Sequence, residues 1–311
     1  MAHQHNILSF PTPTAFEAGH MSADLLRADA ANPANALRSP SGALRSVPTS
    51  SYSMSMEDVK RALEDNRLVV HYQPQFDVET GRPVAAEALI RLLDEQGELV
   101  MPERFLPEAE RDRLIVWLGR AVLRQAFADM ADMRQRRIRI DRVAVKVTAS
   151  QVELDVWLPD FIQSELAGNG LRHIDLELEL TDGRNLSKTG GALERLTVLS
   201  DRGCRIVLDE VSVGHTSPDV LRQLRLSAIR LDPSLLHEIE ANPLKQETLQ
   251  SVMQLAGSLG LEVIAEGVES ARQQIMLRQL GCDLAQGFGY ARPMTAAALM
   301  GFMVANTSMA P

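Results

Sequence analysis

"RIVLDEVSVG", residues 205–214, sets the reading of the chain. Arg205-Ile206-Val207-Leu208 has the apolar, β-branched character and the length of a buried strand. The run ends abruptly in two carboxylates, Asp209 and Glu210, and a turn of small residues follows. Adjacent acids at a strand end are a common way to hold a divalent cation, because carboxylate oxygens are hard ligands.

Outward from this stretch, similar runs recur in both directions. They are LVVHYQP (68–74), VAAEALIRL (84–92), VAVKVTA (143–149), IDLELEL (174–180), AIRLD (228–232), EVIAEG (262–267) and DLAQGF (283–288). Amphipathic stretches fill the gaps, among them 114–135, 189–203, 244–260 and 271–281. Ser55 opens SMEDVKRALED (55–65) as an N-cap, which predicts a helix there. Gly170, Gly203, Gly260 and Gly281 stand where helices need a left-handed C-cap.

Eight strands alternating with helices over about 250 residues predict a (β/α)8 barrel, with an open doubly wound sheet as the alternative. The barrel is preferred because polar residues recur at strand ends: Glu87, Lys146, Glu179, Asp209, Asp232, Glu266 and Gln286. In a barrel those ends converge on one mouth, whereas an open sheet spreads them along a crevice.

Composition narrows the partners. The 311 residues carry a formal net charge of -9, and no basic run stands out. A nucleic acid polymer needs clustered Lys and Arg, so it is not expected as a partner. A small anionic ligand in a local pocket remains compatible. Cys204 and Cys282 lie in no metal-binding spacing and read as packing residues of a reduced, cytoplasmic protein. No apolar run reaches the roughly 18 residues of a membrane span, and the first residues lack a signal-peptide layout. Residues 1–55 are rich in Ala, Pro, Ser, Thr and Asn, which predicts a disordered tail with a short helix near MSADLLRADA (21–30). A domain over 56–306 and a short tail over 307–311 complete the expected organisation.

The acids at the strand ends suit Mg²⁺, Mn²⁺ or Ca²⁺ better than zinc. Four carboxylates from separate strands repel one another at close range, so something positive must sit among them.

The motifs then resemble those of EAL domains, the cyclic di-GMP phosphodiesterases. The resemblance runs through YQPQFDVETGRPVAAEALIRL (72–92), MPERFLPEAERDRLI (101–115), LELELTD (176–182), VIAEGVES (263–270) and GCDLAQGFGYARP (281–293), in order. It implies a modified TIM barrel with one antiparallel strand, and hydrolysis of cyclic di-GMP to pGpG with two Mg²⁺ or Mn²⁺ ions. It also implies roles. Glu87, Glu179, Asp209 and Glu266 match metal ligands. Gln286 matches a residue that orients the metal–water network, and Glu269 one that supports the catalytic loop. Gln73 and Arg91 resemble contacts to base and phosphate, and Phe105 falls with them in the PERFLPEAE segment (102–110) expected to assist ligand binding. A dimer through the region after the acid pair is a family habit.

Four departures fall on catalytic positions. Lys146 replaces an asparagine ligand, Glu210 the second aspartate of the acid pair, Arg230 a catalytic lysine, and DEVSVG (209–214) a differently built loop. His215 and Thr216 change the surface beyond it. An ammonium has three donors and no acceptor, so Lys146 removes a ligand and adds a charge. Arg230 keeps its charge but spreads it over a planar fork. Two-metal hydrolysis is sensitive to displacements of about 1 Å. The sequence therefore predicts a degenerate EAL domain, acting as a cyclic di-GMP receptor or a protein-interaction module. The alternative is a weakly active phosphodiesterase using Mg²⁺ or Mn²⁺. The expected arrangement has Lys146 among Glu179, Asp209 and Glu266, and Arg230 paired with Glu210.

Overall fold

The strand-like runs form strands, and their order closes a barrel. The structure is a computed structural model describing residues 54–307 apart from 182, 184, 185, 187–190 and 212–223. The expected tails lie outside the described residues except for Met54, Ser55 and Thr307, as do the helix near 21–30, most of the loop after Asp209, and His215 and Thr216.

Helix α1 (Met56–Glu64) begins at Ser55, whose hydroxyl accepts from the Asp58 amide at 3.2 Å, while the Asp58 carboxylate accepts from the Ser55 amide at 3.3 Å. The strands are β1 (Leu68–Asp77), β2 (Pro83–Leu93), β3 (Leu99–Val100), β4 (Arg142–Thr148), β5 (Leu176–Thr181), β6 (Arg205–Val211), β7 (Ala228–Leu231), β8 (Glu262–Ala265) and β9 (Leu284–Ala285). Between and after them run α2 (Leu106–Arg111), α3 (Ile115–Gln135), α4 (Ala149–Leu154), α5 (Leu158–Gly168), α6 (Ala192–Asp201), α7 (Pro233–Leu236), α8 (Pro243–Leu259), α9 (Ala271–Gln279) and α10 (Ala296–Thr307).

From β2 through β4, β5, β6, β7 and β8 to β9, each strand pairs in parallel with the next. β1 closes the ring by pairing antiparallel with both β2 and β9. The short β3 adds to the edge of β2 outside the ring. This is a closed eight-stranded α/β barrel with one reversed strand, as expected, and the short β3 is a ninth strand that none of the expected runs includes. The four glycines expected at helix ends all have positive φ, from 66° at Gly170 to 100° at Gly203.

Side chains alternate across each strand. On β4, Val143, Val145 and Val147 face outward and join the main core with Leu176, Leu178, Leu180, Ile206, Leu208 and Ile229. The inward set falls into three layers. Arg142, Glu177, Arg205 and Glu262 form ion pairs at the base. Val207, Ala228, Ile264 and Leu284, with Val84 against them, make an apolar plug above it. The polar strand ends form the mouth. A second core, on the α1–α2 side, contains Val59, Leu92, Val100, Phe105, Ala109, Leu114 and Leu118.

Candidate functional site at the barrel mouth

Period two along the strands dictates the mouth. Glu87 on β2 sits opposite Gln73 on β1, and Lys146 on β4 sits beside Glu179 on β5. Asp209 follows two residues after the plug residue Val207, and Arg230 two after Ala228. Glu266 and Gln286 stand just past β8 and β9. The loops carrying these two are pressed together. The Val268 amide donates to the Gln286 carbonyl at 3.1 Å, and the Gly289 amide to the Val268 carbonyl at 2.8 Å. A Cβ on Gly287 would lie 2.2 Å from the Val268 carbonyl oxygen, so the glycine is required by close approach of two backbones.

The centre of the site is a cation. Arg230 is fully buried, and its side chain reaches Glu87 at 2.7 Å and Glu266 at 2.8 Å. It donates to Gln286 Oε1 at 3.0 Å, lies 3.8 Å from Asp209, and makes a close ion pair with Glu179 that lacks hydrogen-bond alignment. Lys146 approaches from the mouth, 35% exposed. Its Nζ bonds Asp209 closely and lies 3.5 Å from Glu87 and 3.8 Å from Glu179.

Gln286 bridges outward, donating to Glu87 at 2.6 Å and to Gln73 at 2.8 Å. Gln73 in turn donates to the Ala291 carbonyl at 3.0 Å. Arg91 is buried at the rim, with Nη1 donating to the Ile90 carbonyl at 2.7 Å.

Electrostatics follow this geometry. Burial opposes the charge of Glu87, but Arg230, Lys146 and Gln286 outweigh it and hold the carboxyl down at about 2. Burial pushes Glu179 well above the usual carboxylate range, against the pull of Arg230 and with the repulsion of Glu87 and Asp209 added. Burial works against the ammonium of Lys146 too, yet Glu87, Glu179 and Asp209 raise it above an ordinary lysine. Both cysteines are buried thiols, Cys204 and Cys282, pushed up to about 12 by desolvation.

Most of the expected site residues meet here, with differences. Lys146 sits among Glu87, Glu179 and Asp209, not with Glu266, which Arg230 takes. Arg230 turns inward to four carboxylates instead of outward to Glu210, since its neighbours on the ring are acids from four strand ends. Glu210 is exposed, in the left-handed region at φ 56°. Glu269 is exposed on the loop after β8, where its amide donates to Gln273 at 2.7 Å. Phe105 is fully buried in the second core, away from the mouth ring. Asp232 caps α7 through the Ser234 amide at 2.8 Å. Gln75, absent from the sequence reading, is buried and donates to Glu179 at 3.2 Å. Its signal is the two-residue spacing from Gln73 on one strand face.

As a seat for two divalent ions this arrangement does not fit. The carboxylate oxygens that two ions would use face an ammonium and a guanidinium, neither of which has a lone pair to offer. Among the described residues no three His, Cys, Asp or Glu side chains are disposed to hold a metal. Among them, too, no helix is long and apolar enough to cross a membrane.

Comparison with known proteins places the chain. Residues 56–293 match the family model described as EAL domain. The chain is 33% identical over 251 residues to the bifunctional diguanylate cyclase/cyclic di-GMP phosphodiesterase MucR of Pseudomonas aeruginosa, covering 79% of this chain and 36% of the relative. It is 32% identical over 241 residues to the cyclic di-GMP phosphodiesterase PdeR of Escherichia coli, covering 78% and 36%. It therefore spans about a third of the length of these relatives. The solved MucR phosphodiesterase in complex with cyclic di-GMP superposes with a TM-score of 0.73 at 32% identity, covering 78% of this chain and 98% of that one. Sequence motifs, barrel topology and these matches agree, and this chain belongs to the EAL domain family.

Proposed function

We propose that this chain is a regulatory EAL domain that binds cyclic di-GMP at the barrel mouth and does not hydrolyse it. One observation carries the reading: Lys146 and Arg230 lie among the carboxylates that would otherwise hold cations. Neither group can polarise a bound water as a divalent ion does, and hydrolysis of this kind needs a water held in line between two ions. Binding needs less. Gln73 keeps a rigid place in the Gln286–Glu87 hydrogen-bond chain, and Arg91 offers a planar fork at the rim. Phe105 contributes from beneath, by fixing the second core against β2. MucR, of the same fold at 32% identity, is solved with cyclic di-GMP. The reading carries with it a cytoplasmic location, no resident metal, and an output through a protein partner or a homodimer.

A second reading, a weak phosphodiesterase with Mg²⁺ or Mn²⁺, is favoured by two buried oxygens, Glu87 Oε1 and Glu179 Oε2, that accept no hydrogen bond. In that case Glu87, Glu179, Asp209 and Glu266 hold the ions, with Arg230, Glu269 and Gln286 in the catalytic roles. Isothermal titration with cyclic di-GMP in EDTA, paired with a product assay in Mg²⁺ or Mn²⁺, separates the two. Metal-free binding without pGpG is expected. Metal-dependent appearance of pGpG would replace the first reading with the second.

A further inference from the structure

The outer rim of the barrel base divides by charge. The parallel strands β4, β5, β8 and β9 begin at this end, and the reversed β1 ends there. Over the entries to β4 and β5 stand Arg137, Arg139 and Arg172, all exposed. Arg172 lies 3.6 Å from the buried carboxylate of Asp175, which Arg134 already holds at 2.7 Å. Arg137 and Arg139 make no ion pair among the described residues. Beside them, a cavity of about 390 Å³ opens between the β1–β2 turn, the end of α9 and the entries to β4 and β9. Five of its lining residues are acids and two are arginines. Of the acids, Glu79 pairs with Arg278 at 2.8 Å, and Glu262 is held by Arg205. Asp77, Asp141 and Asp283 make no ion pair among the described residues. No three of these acids are disposed to hold a metal, so the occupant that fits is an organic cation. A guanidinium fits best, since its planar fork matches carboxylate oxygens. Leu284 of the apolar plug, with Val84 against it, gives the cavity an apolar floor.

We propose that the base is a self-docking face, on which two copies of this chain associate about a two-fold axis with Arg137 and Arg139 of each set against the acidic cavity of the other. An interface of this symmetry needs both complements on one surface, side by side. Here they meet within residues 137–142, where the arginines precede β4 and Asp141 and Arg142 line the cavity. A foreign partner has to match a cationic and an anionic half at once, whereas a second copy matches both by symmetry. Ion pairs left in water contribute little, but pairs enclosed against the apolar floor fix register and reject wrong partners. Both mouths stay open, because they lie at the other end of the barrel. The proposal therefore stands apart from the ligand reading.

Analytical ultracentrifugation of the full chain, without nucleotide or metal, is the test. Wild type should dimerise reversibly. Arg137→Glu with Arg139→Glu should weaken the dimer at least about tenfold, and so should Glu79→Lys with Asp141→Lys, since like charges then face each other across both halves. Mixing the two variants should restore a dimer of one copy of each, because the reversed halves complement each other and the untouched halves meet as before. A monomeric wild type would overturn the proposal and leave the cavity to a cationic segment of another protein. Reversed variants that dimerise as tightly as wild type would also overturn it, by placing the contact on another face, as would two folded variants that stay monomeric when mixed. Should either reversal unfold the chain, Arg137→Gln with Arg139→Gln decides: a dimer weakened at least about threefold supports the face, and an unchanged one overturns it. Failure of wild type to bind cyclic di-GMP would sink the receptor reading alone, because the dimer is measured without nucleotide.

Discussion

The two ends of the barrel interior carry similar groups and put them to different ends. At the base, Glu177 lies between Arg142 at 3.1 Å and Arg205 at 3.0 Å, and Arg205 also reaches Glu262 at 2.5 Å. Two acids face two cations, and the arginines are partly solvated at 14% and 16% exposure. At the mouth, among the described residues, the cations paired with Glu87, Glu179, Asp209 and Glu266 are Lys146 and Arg230, and the arginine is fully buried. The base is balanced and redundant, which is how an ion-pair cluster seals one end of a barrel. The mouth holds surplus negative charge around one indispensable cation, which is how a site is kept ready for something else. Between them the apolar plug separates the two charge systems.

Truncating the arginines tests the contrast most severely. Arg230→Met leaves Glu87 and Glu179 buried with Lys146 as their remaining cation among the described residues. It should cost about 3–5 kcal/mol in urea denaturation, the usual result of removing one partner from a buried pair. Arg142→Met leaves Glu177 still held by Arg205 and should cost about 1 kcal/mol. Equal losses would end the distinction between the two ends.

Gly287→Ala comes next. Its Cβ would meet Val268 backbone atoms at 2.2 and 2.3 Å. Forcing apart the loops that carry Glu266 and Gln286 should cost about 2–3 kcal/mol. Ligand affinity should fall with it, as read by titration.

The smallest effect is one of pH. Glu87 is held at about 2 against an ordinary 4.5, so its contribution to stability is complete above about pH 4.5 and is lost as the pH falls toward 2. Glu179 is shifted the other way, so its ionisation works against the fold as pH rises above 4.5. Glu87→Gln should therefore flatten the acid limb of the stability curve between pH 4.5 and 2. Glu262→Gln, at the opposite end of the barrel, serves as the reference. An unchanged slope in Glu87→Gln would remove the electrostatic asymmetry.

Much of this was legible in the sequence. The strand runs, the α1 cap at Ser55 and the glycine helix ends are local, since periodicity and left-handed φ are properties of a few consecutive residues. The acids at strand ends showed the ring for the same reason: alternation fixes which face a residue takes. Their need for a positive partner followed from repulsion alone, and Lys146 and Arg230 were the visible candidates. Gln75 is equally legible, two places from Gln73 on the same strand face.

The sequence by itself determined the set of inward-facing groups and their charge. Only the tertiary structure decided who pairs with whom. Arg230 takes Glu87, 143 positions away in the chain, and Lys146 takes Asp209, 63 positions away. Those pairings depend on closure of the ring by β1 and on the relative heights of side chains on strands that are not neighbours. Arg230 therefore reaches the centre and not Glu210, and Phe105 goes to a separate core and not to the mouth ring. Alternation is a one-dimensional rule, whereas the height of a residue in a closed barrel is set by the stagger of every strand around it.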